Sequence, residues 1–217
     1  MALPVITIDG PAGAGKSTVA KKVAQELGLT YLDTGAMYRA VTLLALRRGV
    51  DVNDDAKMKE LVRDIYLDLS GGRIYLNGED VSEEIRRPEV SESVSLVARL
   101  GSVRERMTAL QREIASRGGV VLDGRDVGSV VFPEADCKIF LTASVEERAR
   151  RRYLELQNKG IAISFDEVKQ NIVERDKIDS ERDIAPLTIP EGAHIVDSTG
   201  LTIDEVVQEI VRKCRTD

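Results

Sequence analysis

The stretch GPAGAGKS, residues 10–17, constrains this chain more than any other part of its sequence. It follows the apolar run VITID and precedes the amphipathic pattern STVAKKVAQEL. Two glycines, a lysine and a serine at this spacing, between a strand and a helix, are typical of a phosphate-binding loop. Glycines let backbone N–H groups turn toward phosphate oxygens, and the helix N-terminus adds a partial positive charge. The sequence therefore predicts a nucleoside triphosphate site, but not the use made of the triphosphate.

The residue types within this loop predict individual roles. Lys16 is expected to reach the β- and γ-phosphates, and the Ser17 hydroxyl is expected to be a ligand of Mg²⁺. The predicted ATP-binding set is Gly10, Pro11, Ala12, Gly13, Ala14, Gly15, Lys16, Ser17 and Thr18.

The remaining apolar runs predict a parallel sheet. They are rich in Val, Ile and Leu with little polar alternation, as is typical of strands buried on both faces. The predicted strands are 5–9, 30–33, 120–123, 137–143 and 194–199. Helical patterns lie between or beside them, at 17–27, 36–48, 103–117, 145–157, 165–184 and 202–213. Strands separated by helices predict an α/β fold, a five-stranded parallel sheet covered by helices on both faces.

One segment breaks this alternation. IYLDL and RIYL are alternating strand patterns joined by SGG, and a second turn signal, NGED, follows. These features predict an antiparallel hairpin or meander. We therefore expect a core at 1–56 and 100–217, with a helical lid at about 153–166, and a small inserted α+β segment at 57–99.

Composition limits the classes of partner. The net charge is −6 and charged residues make up 31% of the chain, which argues against a general binder of nucleic acid or anionic membrane. Cys137 and Cys214 lack a metal-type spacing, so they indicate neither a disulfide scaffold nor a zinc site. No apolar run is long enough for a membrane helix, and the N-terminus lacks the features of a signal peptide. A soluble, cytoplasmic protein is expected.

Two stretches carry arginines at places where a ligand would bind. LDTGAMYRA brings Arg39 one turn into a predicted helix, and LDGRDVG brings Arg125 and Asp126 to the end of the third predicted strand. Ligands of open parallel sheets bind beyond the carboxyl ends of the strands. Because Gly-Arg-Asp-x-Gly at such an edge is hard to explain by packing, we expect Arg125 and Asp126 to lie in a cleft.

A third region combines two arginine-bearing helical patterns. EERARRR places Arg148, Arg151 and Arg152 on one helix face, and ERDKIDSERD places Arg175 and Arg182 seven residues apart, with Asp179 between them on the same face. Alone, the second stretch is typical of a solvated helix with its own ion pairs. The short connection between the two patterns instead suggests a lid that closes over phosphates and excludes water.

Three functions fit these residues. The chain lacks the Asn-Lys-x-Asp base reader of guanine-specific switches and is short for a motor, which favours a kinase with a small anionic acceptor. The acceptor itself stays open among CMP, UMP, AMP, dTMP and a small non-nucleotide. A nucleotide-dependent binding or switch protein without an acceptor is the third alternative.

Several blocks together resemble the bacterial cytidylate kinases (CMP/dCMP kinases) of the nucleoside monophosphate kinase group. The blocks are ITIDGPAGAGKST, LDTGAMYRA, LNGEDVSEEIR, VRERMTALQRE, DGRDVGSVVFPEADCKIFLTAS, EERARRR and ERDKIDSERDIAPL. Their order and spacing cover nearly the whole chain. The resemblance implies a kinase core with a lid and an insert, which transfers the γ-phosphoryl group of ATP to CMP or dCMP, with Mg²⁺, as a monomer.

The resemblance also implies residue roles. Arg39 and Arg125 would hold the acceptor phosphate, Asp179 the sugar hydroxyls, and Lys16, Arg151 and Arg175 the transferred phosphoryl group. The cytosine would be surrounded by Thr34, Ser95, Arg104, Asp126 and Arg182. A carboxylate facing the N4 amine of cytosine discriminates against uracil, because uracil exchanges that donor for an acceptor.

Overall fold

The computed structural model describes residues 3–116 and 118–216. These residues divide into two compact units. The first unit comprises the described residues within Met1–Tyr31, Arg117–Glu181 and Ala185–Asp217, and the second comprises Leu32–Ser116 and Arg182–Ile184.

The described residues form eight strands and eight α-helices. The strands are β1 (Val5–Asp9), β2 (Thr30–Asp33), β3 (Leu67–Ser70), β4 (Arg73–Leu76), β5 (Glu79–Asp80), β6 (Val120–Gly124), β7 (Cys137–Thr142) and β8 (His194–Asp197). The helices are α1 (Lys16–Leu27), α2 (Thr34–Arg47), α3 (Asp55–Arg63), α4 (Pro88–Ala98), α5 (Gly101–Ile114), α6 (Val145–Asn158), α7 (Phe165–Glu181) and α8 (Ile203–Thr216). Not one of these helices combines the length and the apolar character that crossing a membrane requires.

The main sheet has the order β2-β6-β1-β7-β8. β1 lies at its centre and pairs in parallel with β6 and with β7, and β8 pairs in parallel with β7. The apolar runs form these strands because a central strand is covered on both faces, and Ile6 and Ile8 of β1 are fully buried. The predicted α/β fold with a five-stranded parallel sheet flanked by helices is confirmed.

One hydrophobic core binds this sheet to the first and last helices. Ile139 of β7, Val23 of α1 and Ile210 of α8 are each fully buried in it. All the carboxyl ends of the parallel strands point to one edge, so this core holds the segments that follow β1, β6 and β8 in fixed positions.

A disulfide joins Cys137, at the start of β7, to Cys214 in α8. The prediction that these cysteines form no disulfide is wrong for this pair. The cysteines are 77 residues apart in sequence, and only the packing of α8 beside the sheet brings their Cα atoms to 5.4 Å. Cys137 belongs to the core, since the residue is 3% exposed.

The second unit contains the predicted meander. β3, β4 and β5 form an antiparallel sheet in that order. Asn77 and Gly78 both have positive φ, as a two-residue turn between antiparallel strands requires. Helices α2 to α5 complete this unit, which is larger than the predicted insert because α2 and α5 belong to it. The boundaries 57–99 lie inside it and stay a prediction.

The end of α7 differs from its prediction. The pattern predicted a helix to residue 184, but α7 ends at Glu181. The carbonyl of Asp179 accepts a hydrogen bond from the N–H of Leu187 at 2.7 Å, and Ala185 adopts a left-handed φ of 51° before Pro186. Arg182 is therefore outside the helix, and the expectation that it shares a helix face with Arg175 is wrong.

Candidate active site

The predicted phosphate loop connects β1 directly to α1. Gly13 and Gly15 have φ of 75° and 87°, and Gly15 precedes the first residue of the helix. A side chain cannot replace the hydrogen of Gly10, since a Cβ there would lie 2.0 Å from the carbonyl oxygen of Leu141. The motif thus has the strand, loop and helix context that its phosphate-binding geometry requires.

Lys16 is buried at the start of α1. Its Nζ donates a hydrogen bond to the carbonyl of Pro11 at 2.8 Å. Burial and the nearby Arg125 hold the pKa of this amine well below its ordinary value, against the opposing charges of Asp123, Asp179 and Asp9. An anion bound in the loop would favour the charged form of this amine.

Asp123, in β6, lies beside the loop and was not assigned a role from the sequence. Ser17 donates its hydroxyl to Oδ2 of Asp123 at 2.9 Å. Tyr31 donates its phenol to Oδ1 of the same carboxylate at 2.8 Å. The available signal was an aspartate near the end of a buried strand, but its pairing with Ser17 spans 106 residues of sequence. Ser17 itself is exposed, so its oxygen is accessible to a cation.

Arg125 follows β6 and pairs with Asp179 of α7. Its Nε donates to Oδ2 of Asp179 at 2.8 Å, and the Asp179 side chain is 4% exposed. Burial lowers the pKa of the Arg125 guanidinium, but the charge and hydrogen bond of Asp179, together with the charges of Asp176 and Asp123, outweigh burial and hold that pKa above its ordinary value. The sequence placed Asp179 with Arg175 and Arg182, and the structure adds Arg125 as its partner.

Asp9 holds the segment that follows Arg125. Its carboxylate accepts hydrogen bonds from the N–H of Val127 at 2.9 Å and of Gly128 at 2.7 Å. These residues begin a π-helical turn, Val127–Val131, and Asp126 directly precedes it, buried at 5% exposure. Burial raises the pKa of Asp9 to about 6, although the two N–H groups oppose the change.

Arg151 is fixed beside the loop from α6. It donates to Oγ of Ser198 at 2.9 Å, to the carbonyl of Ser198 at 2.7 Å, and to Glu147 at 2.9 Å. Arg175 lies on α7, which packs against α6 through Ala149 and Ile172. A capping box is present at the start of α7: the Ser164 hydroxyl accepts the Glu167 N–H, and the Glu167 carboxylate accepts the Ser164 N–H.

A second arginine anchors α6 and α7 to the phosphate loop. Arg148 donates to the carbonyl of Ala12 at 2.9 Å and pairs with Asp176 of α7. Asp176 in turn accepts a hydrogen bond from the N–H of Ala12 at 3.1 Å. The two helices that the sequence assigned to a lid are therefore connected to the loop by charged hydrogen bonds.

A cavity of about 400 Å³ lies beside the phosphate loop and was missed by the sequence analysis. It is lined by Gly13, Ala14, Gly15, Thr18, Val19, Arg151, Arg152, Glu155, Ser198, Leu201, Ile203 and Val206. Part of this lining is the segment between β8 and α8. The sequence places this segment directly after a predicted parallel strand, and ligands of such sheets bind at that position. This feature could have indicated the cavity.

In the second unit, Arg39 is held by the residue that caps its own helix. Asp33 accepts the N–H of Ala36 at 2.7 Å and pairs with Nη2 of Arg39 at 3.0 Å. Asp33 is thus the N-cap of α2, and Thr34 is the first residue of that helix.

Two further arginines of the second unit meet at one backbone carbonyl. Arg104 and Arg182 both donate to the carbonyl of Ala98, at 3.1 Å and 3.5 Å. Both are buried, at 4% and 7% exposure, and Arg104 lies 5.7 Å over the ring of Tyr38. Ser95 and Thr34 are also buried in this unit. Burying two cations near one carbonyl costs free energy that packing alone does not offset. Such a cluster is typical of a site for a polar ligand.

Comparison with known proteins identifies a family over the whole of this site. The family model for cytidylate kinase matches residues 6–216. A cytidylate kinase of Caldanaerobacter subterraneus subsp. tengcongensis is 55% identical over 210 residues, 97% of this chain and 94% of the relative. A cytidylate kinase of Bacillus thuringiensis (strain Al Hakam) is 50% identical over 210 residues, 95% of this chain and 93% of the relative.

A solved structure supports the fold alone. The shikimate kinase of Bacteroides thetaiotaomicron aligns with a TM-score of 0.52 at 15% identity, covering 97% of this chain and 98% of that one. The family match extends over the phosphate loop, the segment around Arg125 and both arginine-bearing helices. This chain belongs to the cytidylate kinase family.

Proposed function

We propose that this chain transfers the γ-phosphoryl group of ATP to CMP or dCMP, giving ADP and CDP or dCDP, with Mg²⁺ as its cofactor. The chain is a transferase of the ATP-dependent kinase class. The observation that carries the residue-level proposal is the cluster beside the phosphate loop in the first unit. There a buried lysine, a serine paired with an aspartate, and a buried arginine–aspartate pair lie on adjacent segments.

The donor nucleotide is proposed to bind along residues 10–18. Backbone N–H groups of this loop and the Lys16 amine would contact the phosphates. The adjoining cavity of about 400 Å³ has the size and the partly apolar lining that suit a purine base. We assign the adenine of ATP to this cavity.

Ser17 and Asp123 suit Mg²⁺. The described residues contain no group of three or more His, Cys, Asp or Glu side chains that could enclose a metal. Mg²⁺ prefers oxygen ligands and is held by few protein groups plus substrate phosphates and waters. The exposed Ser17 hydroxyl, with its proton directed at Asp123, fits that requirement. The ion would neutralise charge on the β- and γ-phosphates.

The residue roles for the acceptor are proposed from the family to which the chain belongs. Arg39 and Arg125 would bind the CMP phosphate, and Asp179 the sugar hydroxyls. The cytosine would be read by a set of polar and charged side chains, namely Thr34, Ser95, Arg104, Asp126 and Arg182. All five are buried, as a base-reading set must be for unpaired polar groups to penalise the wrong base.

The transfer step needs charge neutralisation rather than a strong base. The acceptor phosphate is already a nucleophile, and the transferred group carries charge over its equatorial oxygens. Lys16, Arg151 and Arg175 are proposed to stabilise that charge. The contacts of Arg151 with Ser198 and Glu147 fix its guanidinium before substrate binds, which favours preorganised stabilisation.

The experiment that tests this function is a coupled assay of ADP formation from Mg-ATP. CMP, dCMP, UMP, AMP, GMP and dTMP are compared in parallel. Preference for CMP and dCMP supports the acceptor and the base-reading set together. Activity with another monophosphate keeps the donor site but overturns the roles of Thr34, Arg104, Asp126 and Arg182. Slow ATP hydrolysis that no monophosphate stimulates indicates a nucleotide-dependent switch instead.

The proposal extends to a monomeric, cytoplasmic enzyme without nucleic-acid or membrane partners. Its support is the acidic net charge of −6, which disfavours polyanionic partners. Sedimentation of the purified protein at several concentrations tests the monomeric state.

A further inference from the structure

Asp123, in the first unit, accepts a hydrogen bond at each of its two carboxylate oxygens. Oδ2 accepts the Ser17 hydroxyl at 2.9 Å, and Oδ1 accepts the Tyr31 phenol at 2.8 Å. Asp123 is 4% exposed, so water cannot readily replace either donor. Tyr31 comes from β2, Asp123 from β6 and Ser17 from the first turn of α1.

Tyr31 is itself fixed by packing. It is half-buried and packs against the hydrophobic core that joins α1, α8 and the sheet. A phenol held in this way has few rotamers available, so its hydroxyl offers a directional donor to the carboxylate. No role was assigned to Tyr31 from the sequence.

We infer that Tyr31 is a positioning residue for the metal, which acts through Asp123 on Ser17 and sets the affinity of the enzyme–nucleotide complex for Mg²⁺. This inference rests on the proposed function, since it takes Ser17 as the residue that holds Mg²⁺. The phenol fixes the plane of the carboxylate, the carboxylate fixes the direction of the Ser17 O–H, and the serine oxygen would then have its lone pairs available to hold the cation.

The physical reason is the burial of the carboxylate. Without the phenol, Oδ1 of Asp123 loses a donor at a carboxylate that is only 4% exposed, and the carboxylate can rotate away from Ser17. Groups that orient the ligands of a metal commonly change its affinity by about 10- to 100-fold when they are removed. Contacts of the nucleotide with the backbone of the loop do not pass through Tyr31, so metal-free nucleotide binding should be unaffected.

The test is Tyr31→Phe, which removes one oxygen and keeps the packed ring. Mn²⁺ binding to the enzyme–ADP complex is followed by the EPR signal of the free ion, and ADP binding in EDTA by calorimetry. We expect the dissociation constant of Mn²⁺ to rise about 10-fold, with metal-free ADP affinity changed less than about two-fold. Tyr66→Phe is the matched control, because Tyr66 is 63% exposed; it should leave both constants unchanged.

A double variant separates positioning from a general structural effect. Asp123→Asn should weaken Mn²⁺ binding by itself, and adding Tyr31→Phe to it should weaken binding by less than about a further two-fold, because the path is already broken. Equal loss of metal-free and metal-bound ADP affinity in Tyr31→Phe, or full additivity with Asp123→Asn, would overturn the inference. The proposed function fails separately, if wild-type enzyme forms no ADP in response to any monophosphate.

Discussion

Arg125 and Asp179 form a buried ion pair that connects the segment after β6 to helix α7. Nε of Arg125 donates to Asp179 at 2.8 Å, and the two side chains are 20% and 4% exposed. Nη1 of Arg125 also donates to the carbonyl of Gly124 at 3.4 Å, so the pair leaves the Nη2 edge of the guanidinium for an anion. A planar, forked cation held at one edge by a carboxylate is well suited to grip a phosphate.

Arg125→Ala is expected to reduce turnover of CMP by at least roughly 10²-fold, because a fixed cation at the acceptor phosphate is lost. Steady-state kinetics with CMP and Mg-ATP measure the effect. Arg150→Ala is the control. It removes the same charge from an exposed position, because the Arg150 side chain is 71% exposed. Turnover of Arg125→Ala near that of wild type would remove Arg125 from the site.

Loss of the Arg125 partner from the buried Asp179 also threatens stability, by about 3–5 kcal/mol for a broken buried pair. A second variant, Arg125→Ala with Asp179→Asn, also removes the buried charge of Asp179. We expect urea denaturation to show stability recovered in the double variant while turnover stays low. Recovery of turnover together with stability would mean that Arg125 supports the fold and not the acceptor.

Asp126→Ala is expected to relax base choice more than it slows transfer to CMP. The ratio of kcat/KM for CMP to that for UMP should fall by at least about 10-fold. In wild type, uracil would place an acceptor against the buried Asp126 carboxylate, and alanine removes that unfavourable contact. Parallel kinetics with CMP, UMP and AMP measure this ratio. A variant that rejects UMP and AMP as strongly as wild type would contradict a base-reading role for Asp126.

The fold was accessible from the sequence because its strands are continuous apolar runs. Each predicted core strand is present, and the segment around Gly71 and Gly78 turns as its glycines indicated. Two helices of the second unit, α3 and α4, were not predicted. The strand and turn patterns between them were interpreted instead, and the helical patterns on either side were overlooked. The end of α7 was missed because Arg182 continues the charge periodicity after the backbone has left the helix.

The site was predicted as residue types but not as partners. Gly10 and Lys16 lie where a local motif places them. The pairs Ser17–Asp123 and Tyr31–Asp123 span 106 and 92 residues, and no pattern within a segment encodes such contacts. The cavity beside the loop was missed for the same reason, because its walls come from α1, α6 and the segment before α8.

Stability of the nucleotide-free protein should fall as pH rises through the titration of Asp9. Burial raises the pKa of this carboxyl from 3.8 to about 6, so between these values the native state holds a proton that the unfolded chain has lost. The Asp9 contribution is fully present below about pH 4 and is lost by pH 6, on the order of 3 kcal/mol in free energy of unfolding.

Urea denaturation across this pH range measures the effect, with Asp9→Asn as the variant. Because asparagine does not titrate, the variant should lack this fall, whatever its absolute stability. The two N–H donors of Val127 and Gly128 face the position, so the amide of asparagine also lowers stability at every pH. Parallel stability curves for wild type and variant would contradict the assignment of the fall to Asp9.

The disulfide between Cys137 and Cys214 is expected to stabilise the first unit. It closes a loop of 77 residues, for which restriction of the unfolded chain predicts up to roughly 4 kcal/mol. Cys214→Ser is the preferred variant, because Cys214 is half-buried. Cys137 is 3% exposed, so a serine at that position would bury a new hydroxyl in the core. Urea denaturation without reductant should show the variant less stable than wild type.

Reductant provides the matched comparison for this last prediction. Wild type in reductant should lose the same free energy of unfolding that Cys214→Ser loses, and the variant should not respond to reductant at all. Thiol titration of denatured wild type should find no reactive thiol before reduction and two afterwards, one from each partner of the bond. Two reactive thiols before reduction would show that α8 is held to β7 by apolar packing around Ile210 alone, and the reductant effect would then be absent in wild type as well.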